Sequence, residues 1–284
     1  MNREEWHRRF WDRWPRREEL RERNLEKRVH TALVWRTIER YLTDVKTVLD
    51  AGAGPGRFSL PLARRGFKVT HLDLAPAMLA RARKQAAQAG IELEFVLGKV
   101  EALPWRDRRF DLVLCLDAPV SYASSAGQAL QELARVTGRW LILSVVNRLG
   151  QLPVGIKAES TWRADLAFSR AFWTGGDWEP PPALARLPFL GAYLFPPLHA
   201  FTPAELEQAL SAAGLEPVEI AATGTLARLV GRRALRRIWR KSRLRAEFLA
   251  MCEEVERLPE IRGVGAEGAA GLLAVCRRRP AEPS

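Results

Sequence analysis

The sequence predicts a doubly wound α/β fold with a mostly parallel sheet, and three observations carry that prediction. Short apolar runs alternate with helical periods from residue 46 onward. Glycines crowd the first strand-to-helix turn, Asp50-Ala-Gly-Ala-Gly-Pro-Gly56. The second apolar run, Phe67-Lys-Val-Thr-His-Leu-Asp73, ends in an acid. Continuous apolar strands interleaved with helices are the pattern of a parallel sheet covered on both faces.

The elements follow in order. Residues 1–42 read as helices, with Trp6, Phe10 and Trp14 every four residues, a break at Pro15, and Leu25, Val29 and Leu33 resuming the period. This lead-in packs its aromatic face on the core or, on a sharper reading, closes over the site as a lid. Strands are expected near 46–51, 67–73, 92–97, 111–116 and 140–146, with helices near 57–65, 76–89 and 127–137. Pro76 suits a first helical turn, where its missing N–H costs nothing, and Gly90 suits that helix's end.

The alternation breaks after Asn147. Residues 148–200 are rich in Pro, Gly and Trp, including Thr161-Trp162, Phe172 to Trp178 and Pro180 to Pro182. They leave the carboxyl end of a strand, the rim where such sheets hold ligands, so they read as a cap over a substrate. A helix over 203–213 and a strand over 215–221 restore the core. A second insertion, about 222–266, precedes a final strand, Gly271 to Cys276.

The glycine turn points to chemistry. Gly52, Gly54 and Gly56 let the backbone turn tightly and approach a ligand with no Cβ in the way. Their spacing is G-x-G-x-G; the dinucleotide fingerprint would need a glycine where Arg57 stands. That weakens a pyrophosphate reading and leaves a nucleoside pocket, in which Asp73 can accept both ribose hydroxyls. Taken alone, Asp73 reads better as a cap on the next helix; together with the glycine turn, the ribose reading leads.

These motifs resemble those of class I S-adenosylmethionine (SAM)-dependent methyltransferases of the type 11-like branch. Leu49 to Gly56 is similar to the family's first motif, His71 to Ala82 to its second, and Phe110 to Asp117 to its fourth-strand motif. Gly98-Lys-Val-Glu-Ala-Leu-Pro-Trp105, Glu132 to Ser144, and Phe201 to Leu215 follow in the family's order, so the resemblance covers roughly residues 45–147 and 200–222. It implies a Rossmann-like, seven-stranded sheet whose last strand is antiparallel, at or near the edge, and SAM as cofactor. The implied cofactor residues are Asp50, Ala51, Gly52 and Gly54 for the methionyl end and loop, Asp73 for the ribose, and Leu74, Lys99, Val100 and Leu116 around the adenosyl group. Lys99 departs from the pattern: relatives carry an acid there to accept the adenine amino group, and lysine has no acceptor, which leaves that contact to a backbone carbonyl or Glu101.

Methyl transfer from a sulfonium is an in-line displacement, in which positioning and desolvation do most of the work. The candidates near the reacting end are Asp117, as base or as a turn-stabilising residue before Pro119; Tyr122, lining the pocket or packing; and His199, a general base or a structural histidine. His7, His30 and His71 have no metal-ligand spacing, and no metal is expected.

Composition narrows the class. There is no signal-like or membrane-spanning apolar run, and the three cysteines are scattered, which predicts a soluble, reduced, cytoplasmic protein. The formal net charge is +12, but nine basic residues and no acid lie between Arg228 and Arg245, and without them the charge falls to +3. Leu226, Val230, Ala234 and Ile238 stripe that segment as one helix. Its basic face is either solvated or meets an anionic substrate, an RNA backbone or a membrane surface. The resulting expectation is a methyltransferase for a small or medium-sized, hydrophobic or aromatic acceptor; the alternatives are an RNA methyltransferase and a SAM-binding protein without turnover.

Overall fold

A computed structural model describes residues 3–13, 20–162, 166–179, 197–262 and 271–279. Seven strands form one sheet: β1 (Thr47–Ala51), β2 (Lys68–Asp73), β3 (Glu94–Leu97), β4 (Phe110–Cys115), β5 (Thr137–Val145), β8 (Leu215–Ala222) and β9 (Leu272–Arg278), in the order β3-β2-β1-β4-β5-β9-β8. The first five pair in parallel. β9 slots antiparallel between β5 and β8, so the last strand of the chain is one in from the edge. A separate two-stranded ribbon pairs β6 (Asp177–Trp178) with β7 (Leu198–His199).

Both faces of the sheet are buried, as apolar parallel strands require. One face holds Leu49, Leu72, Val113, Leu141 and Leu143 under the helix Ala126–Val136; the other holds Val48, Leu112, Leu114 and Ile142 with Phe58 and Leu62. The order reverses between β1 and β4, where the chain leaves β1 for one side of the sheet and later returns to fill the other. That switch opens a crevice at the carboxyl ends of the strands. The helix Pro76–Ala89 begins with proline and ends on Gly90 in the left-handed region (φ 63°), as its sequence predicts.

Four features differ from the sequence reading. First, residues 148–175 are largely helical (Arg148–Trp162 and Ala167–Gly175) despite their loop-like composition, with Pro153 inside the first helix. Second, the basic segment is not one helix. It breaks into Thr225–Val230, Arg232–Arg240 and the start of Ser242–Glu256, because Gly231 takes φ 78°, ψ 157° and Lys241 is extended. Third, a short helix, Pro119–Tyr122, follows β4 where only a turn was expected. Fourth, β3 and the helix Ser59–Arg64 begin two residues later than read, and β5 begins three residues earlier. Trp14, Pro15 and Pro180 to Pro182 lie outside the described residues.

Candidate functional site

The turn after β1 crosses the mouth of the crevice with three glycines in the left-handed region: Gly52 (φ 78°), Gly54 (φ 56°) and Gly56 (φ 94°). At Gly52 a Cβ would overlap the Pro119 ring. At Gly54 a Cβ would meet nothing within 4 Å, so this residue opens onto free space. Asp50 is buried and accepts the Ser59 N–H at 3.0 Å, which ties the turn to the following helix. Burial, outweighing that hydrogen bond, pushes its carboxyl up to about 7.

Asp73 sits across the crevice at the end of β2. One carboxylate oxygen accepts the Gly54 N–H at 2.7 Å and the other the Ala75 N–H at 2.8 Å. Asp73 therefore clamps the glycine turn and starts the next helix at once. With the Leu74 N–H also directed at the group, the two oxygens still retain acceptor capacity for hydroxyls. Burial raises its carboxyl to about 6 against the pull of those N–H groups.

Leu74, half-buried beside it, offers an apolar surface. Val100 and Leu116, by contrast, point into the two core clusters, as does Ala51; any contact they make across the crevice is through backbone. Lys99 pairs with Glu4 of the helix Arg3–Asp12 at 2.7 Å, and Glu101 is buried and accepts the Ser124 N–H at 2.7 Å. Both side chains that the sequence reading considered for adenine are thus engaged within the protein.

The helix Arg3–Asp12 crosses the same rim. Arg3 donates to the Ser121 carbonyl, Asp12 accepts the Ala77 N–H at 2.9 Å, and His7 and Trp11 pack on Tyr122 with ring centroids 5.4 and 5.6 Å away. His7 is the residue that sequence reasoning passed over. It is 2% exposed, and neither ring nitrogen makes a hydrogen bond of good geometry among the described residues. Burial, reinforced by Arg3 and only partly opposed by the Pro197 carbonyl, lowers its pKa to about 4, so the ring is neutral. The only sequence signal was its place between Trp6 and Phe10 on an aromatic face.

Asp117, at the end of β4 with φ 63°, meets Arg57 and Arg21 (2.9 Å), with His30 Nε2 at 3.4 Å. Burial alone would raise its carboxyl. Arg21 and Arg57 reverse that and hold it well below the usual carboxylate range. A carboxylate so stabilised is a poor proton acceptor, so the base role considered for Asp117 gives way to a structural one. It locks the glycine turn, through Arg57, to the N-terminal helices, through Arg21 and His30. Arg57, which breaks the dinucleotide spacing, is the residue that makes this tie.

Tyr122 is buried among Ala118, Val146, Phe172, Trp178 and Leu198, where the rim meets the cap helices and ribbon. His199 lies on that ribbon, its Nδ1 2.9 Å from Asp177 and its ring edge-on to Phe201. Among the described residues no group of acids, histidines and cysteines could hold a metal ion.

Comparison with known proteins agrees with this geometry. Residues 48–139, from β1 through the start of β5, match the family described as "Methyltransferase domain". That match falls on the stretch whose motifs resemble those of class I SAM-dependent methyltransferases. It is similar to an uncharacterised protein of Mycobacterium tuberculosis, 42% identical over 100 residues that make up 35% of this chain and 36% of that one. It also resembles the ubiquinone biosynthesis O-methyltransferase of Azorhizobium caulinodans, 30% identical over 174 residues, 61% of this chain and 60% of that protein. The matched region thus spans about a third of the first of these relatives and under two thirds of the second. Among solved structures, magnesium protoporphyrin IX methyltransferase from Synechocystis PCC 6803 with bound SAM shares the fold, with a TM-score of 0.54, 15% identity and 98% of each chain covered.

Proposed function

We propose that this protein transfers a methyl group from SAM to a protic acceptor held under the 148–200 segment. The observation that carries the reading is the Asp73 clamp. A buried carboxylate accepts the Gly54 and Ala75 N–H groups, with the Leu74 N–H also directed at it, and retains acceptor capacity opposite a glycine that opens onto free space. Bound there, the cofactor would supply an electrophilic methyl on sulfur. Asp73 would take the ribose hydroxyls, Leu74 would cover the adenine face, and backbone N–H groups around Gly52, Gly54 and Val100 would meet the polar ends. With Lys99 and Glu101 engaged elsewhere, adenine recognition falls to the backbone.

The acceptor side is aromatic: Trp11, Tyr122, Phe168, Phe172 and Trp178 pack together next to His7. That packed aromatic cluster beside the rim supports a small or medium-sized hydrophobic or aromatic acceptor. It is consistent with the ubiquinone biosynthesis and magnesium protoporphyrin IX relatives. Positioning and exclusion of water do most of the work. The neutral ring of His7, packed on Tyr122, positions the acceptor; with its protonated form disfavoured by burial it is no better suited than Asp117 to take a proton. His199, held by Asp177 on the ribbon, orients the cap.

The test is methyl transfer from SAM to a panel of phenols, quinols and RNA, with S-adenosylhomocysteine as the measured product. Turnover on phenolic or quinol acceptors supports the reading; turnover on RNA alone contradicts it. In an active pair, His7→Gln should lower kcat/KM for the acceptor while affinity for S-adenosylhomocysteine stays unchanged. Equal losses in both would make His7 a packing residue.

A further inference from the structure

The nine basic residues between Arg228 and Arg245 take no part in the site described above, and the break at Gly231 gives them a distinct shape. The segment leaves the carboxyl end of β8, which runs parallel to β5, so it rises from the same rim as the glycine turn. On the helix Arg232–Arg240, Leu235 is buried and Ile238 and Trp239 pack with it against Val29 and Leu33 of the helix Leu25–Arg40. The opposite face carries Arg232, Arg233, Arg236, Arg237 and Arg240, all exposed, and Lys241 extends it. Arg232 lies 3.8 Å from Glu26, but Arg233, Arg236, Arg237, Arg240 and Lys241 pair with no described acid.

What surrounds these arginines selects their partner. The large side chains exposed at either end are aliphatic, Leu229 at 74% exposure and Leu244 at 40%. The aromatic ring of this helix is already engaged: Trp239 has Arg28 at 5.0 Å and Arg245 at 5.5 Å from its centroid. Single-stranded nucleic acid is gripped by aromatic rings that stack on bases, and this face offers none. An anionic bilayer asks instead for clustered cations near its phosphates and aliphatic side chains that dip between headgroups. Guanidinium groups suit phosphate through bidentate hydrogen bonds. No described helix is long and apolar enough to cross a membrane, so such a contact would be peripheral.

We propose that the face formed by Arg233, Arg236, Arg237, Arg240 and Lys241, flanked by Leu229 and Leu244, docks the protein on an anionic lipid surface. The apolar stripe of the helix is spent on the protein's own core, so docking is electrostatic, with two leucines as shallow anchors. It places the rim of the crevice at the membrane, where an apolar acceptor would partition. The surface itself does not depend on the chemistry proposed for the crevice.

The experiment is co-sedimentation of the full chain with vesicles of phosphatidylcholine alone, and of phosphatidylcholine and phosphatidylglycerol in equal parts. Binding to the anionic vesicles only, falling as salt is raised, is expected. At roughly fivefold in partition coefficient per basic residue, the variant R233E/R236E/R237E/R240E should lose at least several hundred-fold. Leu229→Ser should lose only a few-fold. S-adenosylhomocysteine binding and the thermal midpoint of each variant report whether it is folded, and the salt and lipid-charge dependence of the unaltered chain stands even if the quadruple variant is not. No binding, equal binding to neutral vesicles, full binding by a folded quadruple variant, or an RNA oligonucleotide displacing the vesicles would each overturn the proposal.

Discussion

The two sides of the crevice are built in opposite ways. On the glycine-turn side, from β1 to β3, the decisive contacts join backbone to residues close in sequence: Asp73 to Gly54 and Ala75, and Asp50 to Ser59. On the opposite side they join side chains far apart in the chain. Arg148 is buried against the Ala200, Trp173 and Thr174 carbonyls and Glu205, a Cβ on Gly176 would overlap it, and Asn147 Nδ2 donates to the Arg262 carbonyl. The comparison teaches that the glycine-turn side is fixed by local backbone geometry, whereas the opposite side depends on tertiary assembly of the 148–175 helices, the ribbon and the N-terminal helices.

The sharpest way to break that division is at Asp117, the hinge between the two sides. Asp117→Asn leaves Arg21 and Arg57 facing each other without their shared anion, and should cost about 3 kcal/mol of stability, read as a drop in urea midpoint at constant slope. A change under 1 kcal/mol would mean that the two sides are not joined there. Because its carboxyl is held low, Asp117 also contributes stability that is present above pH 4 and lost as pH falls further.

Glu256 tests the periphery. It is buried and accepts the Gly224 and Leu226 N–H groups, and burial raises its carboxyl to about 7. The fold therefore favours the protonated form. The associated stability is complete below the ordinary glutamate range and disappears as pH rises through 7, a loss on the order of 1–3 kcal/mol. Glu256→Gln should flatten that part of the thermal midpoint profile; an unaltered slope would show that Glu256 is ionised throughout.

The smallest effect belongs to Lys99. Its pair with Glu4 is more than a third exposed on both sides, so Lys99→Ala should change stability by under 1 kcal/mol. Hydrogen exchange in residues 3–12 should nevertheless quicken, because one of the ties across the rim is gone. Unchanged exchange would mean that Arg3, Asp12 and the Tyr122 contacts hold the helix unaided.

How much was legible in the sequence follows the same division. The glycine turn, Asp73, the helix Pro76–Ala89 and the strand alternation could be read because each is a local pattern with one backbone solution. Lys99 was visible as an oddity, but Glu4, its partner, stands 95 positions away. The ties from Asp117 to Arg21, Arg57 and His30 cross three elements, and no spacing announces them. The cap helices were hidden by their own composition: Pro153 and the neighbouring glycines and tryptophans mimic a loop, while Glu159, by accepting the Phe168 and Ser169 N–H groups, caps the second helix from the first. Gly231 was in plain view, yet the apolar stripe ran on through it, and only its positive φ shows the break.

The central claim is that Asp73 and the glycine turn together hold an adenosyl group, and calorimetric titration with S-adenosylhomocysteine tests it most directly. The unaltered chain should bind more weakly as pH falls below 6, where the Asp73 carboxylate takes up a proton. Asp73→Ala should cost on the order of 1.5–3 kcal/mol of binding at neutral pH and remove that pH dependence. Equal affinities for the two proteins, or no binding by either, would contradict the account.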